Sequence, residues 1–270
     1  MLIRAGYDIG FATEHPTPLL LMLSVHPSRE ADLREPQTMV FDPPVPYHQY
    51  HDGFGNVCTR VTAPAGGLRV RADFVVADTG LPDLHAPDAR QMPVEDLPDE
   101  VLVFLLGSRY CETDRLSDMA WALFGDIEPG WARVQAIVDY AHERIRFSYA
   151  HARPTRTAFE GNDERIGVCR DFAHLAVTLC RCMNIPARYC TGYLGDIGVP
   201  PVDDPMDFSA WFDVYLGGQW YTFDARHNRP RIGRILMARG RDATDVAIST
   251  AFGQAILSKF DVTTYELPSD

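Results

Sequence analysis

The hydrophobic period changes from two to helical partway along this chain, and that change limits the folds open to it. Leu68-Arg69-Val70-Arg71-Ala72-Asp73-Phe74-Val75-Val76 alternates apolar and polar residues over most of its length. A period of two is that of a half-buried strand. Val57 to Val61 alternates more weakly, after the turn signal Asp52-Gly53-Phe54-Gly55-Asn56. Further on, Val134, Ile137, Val138, Ala141 and Ile145 fall at helical spacing and line one face of an amphipathic helix. Leu116, Met119, Ala120 and Leu123 predict a shorter helix ended by Gly125, and Arg146 to Tyr149 a brief strand. Between the two regimes, residues 79–100 carry four prolines, at 82, 87, 93 and 98, among acidic residues. That is linker chemistry. The expected organisation is a β-rich domain over residues 1–80, a Pro-rich linker over 81–110 and a second domain over 111–270. Short strands punctuated by turns predict a small β-sandwich for the first.

Composition closes off several function classes. A net charge of −12 disfavours nucleic acid or an anionic membrane as the main partner, because phosphate binding needs a basic surface. The first residues lack the basic segment and long apolar run of a signal peptide, and Leu19 to Leu23 is too short to span a bilayer. A cytoplasmic location is therefore expected, with the six cysteines as thiols. No CxxC pair occurs, and neither a metal nor another cofactor is expected. The sequence carries no signal of oligomeric state.

The sharpest local pattern is Gly167-Val168-Cys169-Arg170-Asp171-Phe172-Ala173-His174-Leu175. Phe172, Ala173, Ala176, Leu179, Cys180 and Met183 form one helical face, and Cys169 lies at its N-terminal end. A helix N-terminus favours negative charge, so it should lower the thiol pKa. Backbone N–H groups of the first turn can also donate to an oxyanion. Gly167 would let a substrate backbone approach closely. Taken alone, an apolar-face cysteine is more often plain core. His174 sits five residues past Cys169, roughly 140° around the helix. A structural histidine bonded to a carbonyl or carboxylate is expected there.

A second pattern is a hairpin. Strand-like runs Asp207 to Leu216 and Gln219 to Asp224 flank Gly217-Gly218. A two-residue turn pairs Leu216 with Gln219, which sets Asp224 opposite Trp211 and makes Ser209 and Asp224 diagonal neighbours on one face. A carboxylate there would orient a group at position 209. That group is a hydroxyl, which is far too weakly basic to take a proton from a thiol. Strand alternation would point His227 away from the face bearing Asp224. Asp224 can also be read as a strand-end turn residue, and Trp211 as core or pocket wall.

These residues together resemble the transglutaminase-like superfamily, in particular its bacterial branch labelled as cysteine proteases. The resemblance rests on Gly167 to Leu175, Ile185 to Tyr189 with Gly192-Tyr193-Leu194, Ala210-Trp211-Phe212 through Asp224, and Gly240-Arg241-Asp242 with Asp245-Val246. It extends to His151 to Ala158 and to the β-rich N-terminal region, so it covers nearly the whole chain. It implies an α+β fold, with an N-terminal β-sandwich followed by a papain-like core in which the cysteine-bearing helix packs on an antiparallel sheet. It also implies a Cys–His–Asp triad, with Cys169 as nucleophile, Asp224 as orienting carboxylate and Ser209 at the histidine position. Gly167 and Trp211 would contact substrate. The reaction implied is attack by Cys169 on the amide carbonyl of a peptide, protein or small amide, through a thioester resolved by water or an amine. The alternative is a non-catalytic module that binds a peptide or protein in the same cleft.

Overall fold

A computed structural model describes residues 1–201 and 206–268. The first seven strands are β1 (Leu2–Ala12), β2 (Thr17–Leu21), β3 (Leu33–Glu35), β4 (Val40–Asp42), β5 (Tyr47–His51), β6 (Val57–Ala63) and β7 (Leu68–Ala77). The middle of the chain holds α1 (Asp99–Leu102), α2 (Thr113–Phe124), α3 (Trp131–Arg144), β8 (Arg146–Phe147), α4 (Ala158–Glu164), β9 (Ile166–Gly167) and α5 (Cys169–Cys182). The remainder is β10 (Ala187–Tyr193), β11 (Ser209–Leu216), β12 (Gln219–Phe223), β13 (Ile235–Gly240), β14 (Ser249–Ala251) and β15 (Ile256–Glu266).

Two antiparallel sheets form the sandwich. One runs β15-β1-β7-β3, with β4 also pairing β7, and the other runs β14-β2-β6-β5. Alternation along β7 buries Leu68, Val70, Ala72, Phe74 and Val76 on the inner face. They meet Ile3, Ala5, Ile9, Leu19, Leu21 and Val61 from the neighbouring strands in one core. The third sheet, β12-β11-β10-β13, is also antiparallel. Helix α5 packs on it, placing Phe172, Leu175, Leu179 and Cys180 against Phe212 and Val214. The result is the expected α+β arrangement, with the cysteine-bearing helix on an antiparallel sheet.

The domain limits differ from the expected ones in two respects. Strands β14 and β15 return to the sandwich and pair with β2 and β1. The second domain therefore does not extend to residue 270 as a unit of its own. Residues 256–266 belong to the first sheet because β1 would otherwise expose an unpaired edge, an invitation to aggregation. The Pro-rich stretch is also no free tether. Its carbonyls at Ala89 and Arg90 accept from the N–H groups of Trp131 and Gly217 at 2.9 Å each. Leu97 and Val101 pack with Tyr215. Prolines keep this segment from joining a sheet, and its remaining groups pin it along the second domain as a strap.

Candidate active site

Helix α5 begins at Cys169 because two carboxylate contacts close its first turn. Asp171 accepts from the Val168 N–H at 2.8 Å and from Arg156 at 3.1 Å. This also explains Gly167. A Cβ there would lie 2.5 Å from the Asp171 carboxylate, so only glycine leaves the carboxylate room. Gly167 is buried, and Val168, Cys169 and Arg170 are the neighbours that line the cavity above the helix. Gly167 thus leaves room for the helix to start, and it is not among the residues that line the cavity.

Cys169 is half-buried and opens on a cavity of about 500 Å³. The expectation of a lowered thiol pKa is reversed. Burial pushes the Cys169 thiol up to about 11, against the pull of Arg226 and of the Ala210 backbone N–H. Desolvation disfavours the thiolate more strongly than the nearby positive charge favours it. At neutral pH the resting group is the thiol.

The hairpin register is the expected one, with Leu216 opposite Gln219 and Phe212 opposite Phe223. Strand β12 ends at Phe223, one residue before Asp224, and the chain turns there. The turn overturns the alternation argument for His227. Asp224 Oδ1 accepts from the backbone N–H groups of Arg226 and His227 at 3.0 Å each, a carboxylate-held turn. Its Oδ2 accepts from Arg234 at 3.0 Å and from the His227 ring at Nδ1, 2.9 Å away. An ionised carboxylate only accepts, so Nδ1 carries a proton, which in the neutral ring leaves the lone pair on Nε2. Burial works against ionising Asp224, but Arg234 and His227 overcome it and hold the carboxyl well below the ordinary range. Arg234 also pairs with Asp83 of the strap at 3.0 Å and lies over the Trp211 ring at 5.0 Å. Trp211 is buried beneath this network and does not line the large cavity.

Among the described residues, no hydrogen bond joins Asp224 to Ser209. Ser209 instead occupies the wall between two cavities. It lines the large one with Cys169, and a smaller one of about 220 Å³ with Arg226 and His227. Cys169 and Ser209 thus share the lining of one cavity, and His227 and Ser209 that of the other. The Asp224–His227 pairing was hidden in sequence because alternation holds only while a strand continues. The readable signal was Asp224 as a strand-end turn residue.

His174 is structural, as expected, with a different partner. Its Nε2 accepts from the Ala243 N–H at 3.1 Å, and its ring lies between Tyr110 and Tyr189. All six cysteines are unpaired. Among the described residues, no three His, Cys, Asp or Glu side chains are grouped as metal ligands, and no helix is long and apolar enough to cross a membrane.

A helix-borne cysteine packed on an antiparallel sheet, with a carboxylate at the end of the hairpin beside it, defines a class that the comparisons identify. The family model for the transglutaminase-like superfamily matches residues 121–225, the segment that holds Cys169, Ser209 and Asp224. The crystal structure of a "putative cysteine protease" from Cytophaga hutchinsonii superposes with a TM-score of 0.86 at 30% identity, covering 100% of this chain and 92% of that one. The chain belongs to the transglutaminase-like superfamily. It is also 29% identical over 210 residues to an uncharacterized protein of Mycobacterium leprae, across 74% of each chain. An uncharacterized protein of Mycobacterium tuberculosis is 29% identical over 218 residues, 72% of this chain and 68% of that one.

Proposed function

We propose that the protein is a cysteine-dependent hydrolase or acyltransferase of amides, with Cys169 as nucleophile and His227, held by Asp224, as base. The observation that carries this reading is the position of Ser209, which walls both the Cys169 cavity and the His227 cavity. The serine hydroxyl then acts as a relay. It takes the proton from the Cys169 thiol while giving its own to His227 Nε2, and the sulfur bonds to the amide carbonyl carbon. The Asp171 and Phe172 N–H groups of the first turn already donate to the Val168 carbonyl, so those of Cys169 and Arg170 are the ones to face the developing oxyanion. Collapse breaks the C–N bond, the imidazolium returns its proton through Ser209 to the leaving amine, and water or another amine resolves the thioester. Because the resting group is a thiol, proton removal accompanies attack instead of preceding it. Asp224 stabilises the imidazolium and fixes the tautomer.

A second reading has its own support. A thiol raised by burial and a serine at the family histidine position both suit a non-catalytic module that binds a peptide or protein in the cleft. Turnover of peptide p-nitroanilides separates the two. Under the catalytic reading Cys169→Ala abolishes turnover, and His227→Gln lowers kcat by roughly 10²- to 10⁴-fold, the usual contribution of a general base. Ser209→His restores a direct base and makes turnover independent of His227. An inert protein in which only Ser209→His creates turnover would establish the binding module instead.

A further inference from the structure

The Cys169 cavity takes its lining from both halves of the molecule, and the two contributions differ in chemistry. Its charged lining residues, Arg153, Arg170 and Asp207, come from the half of the chain that carries Cys169. The sandwich contributes a mostly apolar wall, Ile9 and Phe11 of β1 with Leu257 and Phe260 of β15, beside Leu23 and Ser249. These four are cross-strand partners, Ile9 opposite Phe260 and Phe11 opposite Leu257. Ile9 and Phe11 are two residues apart, whereas Leu257 and Phe260 are three apart. Regular alternation would send Leu257 and Phe260 to opposite faces. A register shift between Gly10 and Phe11 absorbs the extra residue and brings both pairs to the cavity. Bulges commonly re-aim a side chain next to a functional site in this way. Leu257 remains 53% exposed, an apolar surface without full cover.

We propose that the acyl side of the substrate carries a bulky apolar side chain, of leucine or phenylalanine size, which packs against the β1–β15 wall while its carbonyl lies at Cys169. The inference rests on Cys169 as the reacting centre. The sandwich is then part of the substrate site and selects the acyl group. A cavity of about 500 Å³ accommodates such a side chain together with its flanking backbone. Charged acyl side chains are disfavoured, since Ile9, Phe11, Leu257 and Phe260 offer nothing to replace their water.

The test is direct binding to the full chain carrying Cys169→Ala, followed by titration calorimetry. N-acetylphenylalaninamide is expected to bind roughly ten- to hundredfold more tightly than N-acetylglycinamide, the range for burying one large apolar side chain. Adding Leu257→Asp, at a half-exposed position that the fold tolerates, should remove most of that preference. Equal affinities, binding of neither amide, or a preference that survives Leu257→Asp would overturn the proposal. The readout needs no thiol, so its failure is separable from failure of the catalytic reading, which the p-nitroanilide assay decides.

Discussion

His174 shows how one buried residue sets a pH dependence for the whole chain. Burial holds its imidazole down to about 3, only partly opposed by Asp242. In the unfolded chain the same ring takes a proton near pH ~6.5. Between those values the unfolded state binds more protons than the folded state, so stability falls as the pH is lowered. The expected result is a urea midpoint that drops from pH 6.5 toward pH 3 more steeply in the native chain than in His174→Gln, whose amide oxygen can still accept from Ala243. Parallel profiles would refute the assignment. His26, held down to about 4 mainly by burial, adds the same sign and leaves a residual slope in the variant. At this scale the sequence was informative about identity and less so about environment. Cys169 opens helix α5 and Ser209 opens β11, where the helix and hairpin patterns put them, whereas Asp224 lies one residue past the end of β12. The sign of the Cys169 shift was not legible, because it depends on how much chain from other elements covers the thiol. The partner of Asp224 was not legible either, since a turn decides it.

Elements were read best where their own residues carry the signal. Helix α3 follows from its apolar spacing, and the β11–β12 register from Gly217-Gly218, whose backbones adopt φ of 55° and 93°. Strand β15 carries little signal of its own because well over half of its length is exposed and its alternation appears only around Val262 and Thr264. Its place is fixed by a non-local partner, β1, at the other end of the chain. That pairing gives β15 two roles, as cover for the β1 edge and as carrier of Leu257 and Phe260. Deleting residues 249–270 should therefore do more than shorten the chain. It is expected to expose β1 as an edge strand and to drive aggregation, seen as a shift to large species in size-exclusion chromatography. A deletion product that stays monomeric with unchanged far-UV circular dichroism per residue would show that β15 is dispensable.

At the scale of the molecule the two halves share one core. Tyr193, Phe208, Ile235 and Met237 of the second half pack with Ile3, Ile9, Leu23 and Phe74 of the sandwich. Backbone bonds cross the same junction, from Met22 to Ile248 at 3.0 Å and from His26 to Leu236 at 2.9 Å. The Asn56 side chain both donates to the Arg239 carbonyl and accepts from its N–H, at 2.8 and 2.9 Å. A linker reading of residues 81–110 implies two domains that unfold separately, whereas a shared apolar core makes each half expose buried surface when the other melts. Removing the sandwich would uncover Tyr193 and Ile235, both fully buried. Each large apolar side chain so exposed costs about 1.5–3 kcal/mol, a large share of the stability of a typical domain. Calorimetry should accordingly show one transition, with van't Hoff and calorimetric enthalpies in agreement. A fragment spanning residues 81–248 should fail to fold alone. Two resolved transitions, or a soluble folded fragment, would mean that the junction is an interface between independent domains. The cleft between Cys169 and the β1–β15 wall would then open and close with domain motion instead of being held at fixed width by a common core.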